Sequence, residues 1–171
     1  MKKCRTKHRQ MNLDISRRCN MSTKLTQNEA DMLIEMLKES MEKVVKFPIS
    51  KGKVEFEARG QDKKDTFIVN ISRKGINSQG ASYQGRHPRS GEILLRLDIN
   101  PTAVHLNPDG EKIEGSHIHI YSEEFGARFA MPFDTEDKNL RDLCMEFFDR
   151  FNLIEQPEID YQGTQIQRTL F

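Results

Sequence analysis

Apolar residues recur along this chain in two rhythms. Ala30, Leu33, Leu37, Met41 and Val44 follow one another at steps of three and four, the spacing of one helix face. Thr26-Gln27-Asn28-Glu29 ahead of them forms a capping box, so a helix is predicted from Thr26 to about Lys46, with Phe47-Pro48 ending it. From Val54 the pattern changes to alternation. Val54, Phe56 and Ala58 mark one strand, and Phe67, Val69 and Ile71 a second. Ser82 to Arg86 is a short strand candidate, and Ile93, Leu95, Leu97 and Ile99 alternate without a break. Further strands are expected over His117 to Tyr121 and Ala127 to Phe133. Helical spacing returns from Glu136 to Phe151, with Leu140, Leu143, Cys144, Phe147, Phe148 and Phe151 on the buried side. Gly75 to Gly80 and Asn107-Pro108-Asp109-Gly110 read as turns.

The strand connections are too short for crossover helices, so neighbouring strands should run antiparallel. The predicted fold class is α+β: a mainly antiparallel sheet of five to six strands, flanked by an N-terminal and a C-terminal helix. One α+β domain is expected over residues 22–155, after a disordered basic leader at 1–21 and before a loose C-terminal tail at 156–171. Charge supports the first boundary. Residues 1–20 hold seven basic side chains against Asp14, while the whole chain has a net charge of +1, so the remainder is mildly acidic. That balance argues against a general nucleic-acid-binding surface on the main domain. Met21 is an alternative start.

No apolar run approaches the ~20 residues of a membrane span, and the basic N-terminus lacks the apolar stretch of a secretory signal. Three cysteines without a C-x-x-C pair fit neither a disulfide framework nor a cysteine zinc site. A reducing, cytoplasmic setting is expected, with Cys144 as a small core residue.

Strand geometry then directs attention to one face. If Ile93, Leu95, Leu97 and Ile99 point to the core, Arg96 and Asp98 point the other way. In His117-Ile118-His119-Ile120-Tyr121, Ile118 and Ile120 face the core, leaving His117, His119 and Tyr121 on the opposite side. If the two strands pair, Arg96, Asp98, His117, His119 and Tyr121 form one cluster, and His105 and Asn107 can fold over it from the connecting loop. Two imidazoles can serve as general acid and base, and an arginine can hold a phosphate. An aspartate can set a histidine tautomer, and a tyrosine can stack on a base. These are the parts of a metal-independent ribonuclease. H-x-H with His105 and Asp98 is also an imidazole–carboxylate mix of the kind zinc or ferrous iron takes. The expectation adopted is the metal-free one, with no cofactor. No Walker loop, dinucleotide fingerprint, nucleophile elbow or H-E-x-x-H is present.

The stretch Leu94 to Pro101, with Arg96 and Asp98, then His105, Asn107-Pro108-Asp109-Gly110 and His117-Ile118-His119-Ile120-Tyr121, resembles an uncharacterised family of small bacterial and phage proteins. The likeness spans about residues 22–155 and implies a helix, a sheet carrying this motif and a closing helix. The R-x-D strand followed by clustered histidines is also similar to the toxins of TumE-type toxin–antitoxin pairs. That resemblance implies an RNA-cleaving toxin with Arg96, Asp98, His117 and His119 as site residues. The expected function is a ribonuclease of toxin or phage-defence type. The alternative is a non-enzymatic inhibitor or adaptor of a phage or mobile element. The expected partner is RNA or a protein such as an antitoxin, and no membrane.

Overall fold

The computed structural model describes residues 24–73 and 80–161. The basic leader at 1–21 lies outside them, as do all of the Gly75 to Gly80 turn but Gly80 and the chain beyond Tyr161. In chain order the elements are α1 (Gln27–Glu35), β1 (Lys38–Ser40), β2 (Val44–Lys46), β3 (Gly52–Gly60), β4 (Thr66–Arg73), β5 (Ala81–His87) and β6 (Glu92–Ile99). These are followed by β7 (Val104–Leu106), β8 (Lys112–Glu114), β9 (His117–Ile120), β10 (Met131–Pro132), α2 (Leu140–Arg150), β11 (Leu153–Glu155) and β12 (Glu158–Asp160).

The fold is mostly β, which corrects the α+β expectation. One sheet has eight strands in the order β10-β9-β6-β5-β4-β3-β1-β11, and β1 and β11 run parallel, so the sheet is mixed. Two small sheets, β12-β2 and β7-β8, accompany it. The described residues contain only two helices, both short.

α1 is much shorter than its sequence pattern predicts. Its capping box forms as expected, with Thr26 and Glu29 bonding reciprocally. The helix nevertheless stops at Glu35, well before Lys46. Its last carbonyls are taken by side chains from outside the helix: Asn152 Nδ2, distant in sequence, donates to Ile34 and Glu35, and the ammonium of Lys38, just past the helix, donates to Ile34 and Met36. The chain after the helix then pairs with β3 and β11 as strand β1. Leu37, Met41 and Val44, expected on a buried stripe, are exposed. Helical spacing over a short segment lost to tertiary strand pairing. Glu158–Asp160, assigned from sequence to a loose tail, pairs with β2.

The core lies on one face of the large sheet. Leu143, Cys144, Phe147 and Phe148 of α2, with Phe151, cover Phe56, Phe67, Val69, Ile71, Tyr83, Leu97 and Ile118. Phe67 and Phe151 meet edge to face at 5.8 Å, and Tyr83 stacks on Phe147 at 5.9 Å. Gly85 is required here, because a Cβ at this position would overlap the Phe151 ring. No helix among the described residues is long and apolar enough to cross a membrane.

Candidate functional site

The opposite face of the same sheet is polar, and register decides which groups meet there. In the β6–β9 ladder Arg96 lies opposite His119 and Asp98 opposite His117. In the β5–β6 ladder Ser82 lies opposite Asp98 and Gln84 opposite Arg96. Alternation sends all six side chains to the side away from α2. His105 arrives from outside the sheet. It sits on β7 of the β7–β8 hairpin, whose tip is the Asn107–Gly110 turn. The hairpin is held by the buried amide of Asn107. Its Nδ2 donates to the Ala130 carbonyl at 2.9 Å, and its Oδ1 accepts from the Ala130 N–H at 2.7 Å.

The three imidazoles meet as neighbours. Ring centroids are 5.0 Å apart for His117 and His119, 4.9 Å for His105 and His119, and 5.2 Å for His105 and His117. One potential ligand nitrogen from each lies within 4.8 Å of the others. Arg96, Asp98, His105, His117 and His119 are thus brought together. Tyr121 is not: its buried hydroxyl donates to the Leu25 carbonyl just ahead of α1. Ser82 belongs to the site and was missed. Its Oγ donates to Asp98 Oδ1 at 2.5 Å. The alternation of Ser82 and Gln84 with Ala81 and Tyr83 was a signal that could have placed both on this face.

Hydrogen bonds fix the tautomers of two rings. His117 Nδ1 is 2.9 Å from the Gly115 carbonyl and His105 Nε2 is 2.9 Å from the Arg128 carbonyl. A carbonyl only accepts, so each of these nitrogens carries the proton. In the neutral rings, His117 Nε2 and His105 Nδ1 are left as lone pairs. His117 Nε2 lies 3.6 Å from Asp98 Oδ2, as does His119 Nε2. Arg96 Nη2 is 2.8 Å from His119 Nε2 and can only donate, which leaves the His119 proton on Nδ1. That nitrogen is buried without a hydrogen-bond partner.

Burial lowers the pKa of His119, so the ring stays neutral with a lone pair at neutral pH. Burial pushes the Asp98 carboxyl up, but the adjoining His119 ring, the hydrogen bond from Ser82 and the charge of Arg96 outweigh it and hold the group at about 2. Arg96 Nε lies 3.0 Å from Asp98 Oδ2, yet its N–H is not aimed well enough to form a hydrogen bond. The ion pair rests on charge and proximity. His119 is fully buried and His117 nearly so, whereas the Arg96 and Asp98 side chains are 27% and 26% exposed.

The chain belongs to a family of unknown function (DUF6978), whose model matches residues 25–153. No curated protein matches it. No solved structure matches it either.

Proposed function

We propose that the polar sheet face is a transition-metal centre, with His105, His117 and His119 as ligands and Asp98 beside them. The observation that carries this reading is the convergence of three imidazoles, two of which donate their outer N–H to a backbone carbonyl. Metal-binding histidines are commonly held this way, because the outer hydrogen bond fixes both the tautomer and the ring orientation. It turns His117 Nε2 toward a carboxylate oxygen of Asp98 at 3.6 Å, two atoms that a cation can bridge. Three imidazoles and a carboxylate suit zinc or another divalent first-row ion.

The test is metal uptake by the full-length protein after chelator treatment. Zinc or cobalt should bind at one ion per chain, and His105→Ala or His117→Ala should abolish the stoichiometric uptake. Absence of saturable binding by the wild-type protein would refute the proposal.

A second reading is metal-independent RNA cleavage, with His117 and His119 as acid and base and Arg96 on the phosphate. It is favoured by the partial exposure of Arg96 and Asp98 beside the imidazoles. It is opposed by burial, because a general acid or base must come within about 2.6–3.2 Å of the group it serves, and His119 is sealed from solvent. Incubation with labelled RNA in chelator separates the two readings. Cleavage there that is lost in His119→Ala supports the second.

A further inference from the structure

The β7–β8 hairpin turns one face to the histidine cluster and the other to solvent. His105 on β7 meets His117 and His119, and Ile113 opposite it on β8 is buried. Alternation places Val104 and Leu106 on the outer face, where they are 62% and 68% exposed. Lys112 and Glu114 lie opposite them on β8 and pair with each other.

Hydrogen bonding leaves the outer edge of β7 open. The Asn107 N–H donates to the Glu111 carbonyl, and the Gly115 N–H to the Ala103 carbonyl. Bonded and unbonded pairs alternate along an antiparallel ladder, so Ala103–Gly115, His105–Ile113 and Asn107–Glu111 are the bonded ones. The N–H and C=O groups of Val104 and Leu106 therefore point away from β8, and they have no partner among the described residues. Every other strand at a described sheet edge carries a proline or a charged side chain: Pro132 on β10, Glu155 on β11, Glu158 and Asp160 on β12, Lys46 on β2, and Lys112 and Glu114 on β8. Such residues keep another strand from joining. Val104-His105-Leu106 has none, and its histidine faces inward. Free backbone donors and acceptors beside two aliphatic side chains form a template for one more strand.

We infer that β7 pairs edge to edge with β7 of a second copy of this chain, antiparallel about a two-fold axis at His105. The register is self-complementary. Val104 exchanges N–H···O=C bonds with Leu106 of the second copy, and Leu106 does so with Val104 of the second copy. The two His105 residues form the unbonded pair between them. Each Val104 then packs on a Leu106 across the axis, and Glu114 and Lys112 close the ends of each row. The result has the apolar centre and polar rim of an interface. This symmetry favours a second copy over a foreign strand, because the same three residues supply both halves. The contact is short, so the dimer is weak. Pairing requires no metal ion and leaves His105 on the inner face.

The experiment is sedimentation equilibrium of the full-length protein from about 10 µM to about 1 mM, with backbone amide exchange measured by NMR over the same range. The mass should rise toward that of two chains. The Val104 and Leu106 amides should exchange about tenfold more slowly once the dimer predominates, whereas the His105 amide, already bonded to Ile113, should not respond to concentration. Val104→Lys and Leu106→Lys should each weaken dimerisation at least about tenfold, since each puts a charge at both ends of the paired edge. Protection of the His105 amide reports that the hairpin is intact in each variant. A chain that stays monomeric to about 1 mM would refute the pairing. A dimer whose Val104 and Leu106 amides exchange as in the monomer, or one indifferent to both lysine variants, would refute it too. A monomer whose Val104 and Leu106 amides are protected by a synthetic peptide of alternating valine and threonine would overturn it in favour of a foreign strand.

Discussion

Arg96 and His119 face each other across the β6–β9 ladder, with Nη2 of one 2.8 Å from Nε2 of the other. The guanidinium thereby occupies a lone pair that a metal ion would take. Its positive charge also opposes a cation nearby. Arg96→Met should therefore raise zinc affinity, by about tenfold or more, in competition with a chromophoric chelator. An affinity that is unchanged or lower would show that Arg96 and the ion do not compete.

Ser82 holds the carboxylate of Asp98 from the neighbouring strand. Ser82→Ala should destabilise the metal-free protein by about 1–2 kcal/mol near neutral pH. The pH dependence has a definite sign. The folded pKa of Asp98, about 2, lies below its ordinary 3.8. The resulting stabilisation is present above about pH 4 and is lost as pH falls through 2. Ser82→Ala raises the folded pKa, so the gap between wild type and variant should narrow between pH 4 and pH 2 in chemical denaturation. A constant gap would mean that the serine acts independently of the carboxylate.

The anchor beneath the hairpin is equally testable. Asn107 meets both the N–H and the carbonyl of Ala130, as a neighbouring strand would. Asn107→Asp keeps the shape but loses the donor and places a carboxylate against a carbonyl. A cost of about 2–3 kcal/mol is expected in thermal or chemical unfolding. Because His105 rides on this hairpin, zinc affinity should fall in the same variant. Lost stability with unchanged zinc affinity would place His105 outside the site.

Much of the site was legible from alternation alone. A strict period of two from Ile93 to Ile99 and across His117 to Ile120 fixed which side chains share a face, and the ladder between these strands then set Arg96 against His119 and Asp98 against His117. Tyr121 broke the rule because β9 ends at Ile120, and the tyrosine was drawn to the backbone ahead of α1. Ser82 was not singled out, because alternation puts it on this face without saying that it will meet Asp98. The helical spacing of Ala30 through Val44 misled for a related reason. Nothing local says that Lys38 will be pulled into a core by carbonyls at 34, 36 and 151.

Lys38 supplies the last prediction. It is fully buried, its Nζ donates to the carbonyls of Ile34, Met36 and Phe151, and it lies 4.8 Å and 4.4 Å from the ring centres of Phe67 and Phe151. Lys38→Met fills similar space but leaves three carbonyls without this donor. A loss of about 2–4 kcal/mol is expected, since each buried unpaired group costs about 1–3 kcal/mol and some of them relax toward water. Burial lowers the ammonium pKa to about 7 from 10.5. The unfolded chain then binds more protons than the folded one between these values, so this residue makes stability rise with pH from about 7 upward. Buried Tyr83 and Cys144 act in the opposite sense at higher pH, because burial raises both, the thiol to about 12. They are common to both proteins, so the difference between wild type and Lys38→Met isolates the lysine. That difference should widen between pH 7 and pH 9 in denaturant titrations. A difference that stays flat would mean that the three carbonyls and two ring faces hold the ammonium charged throughout, against the desolvation.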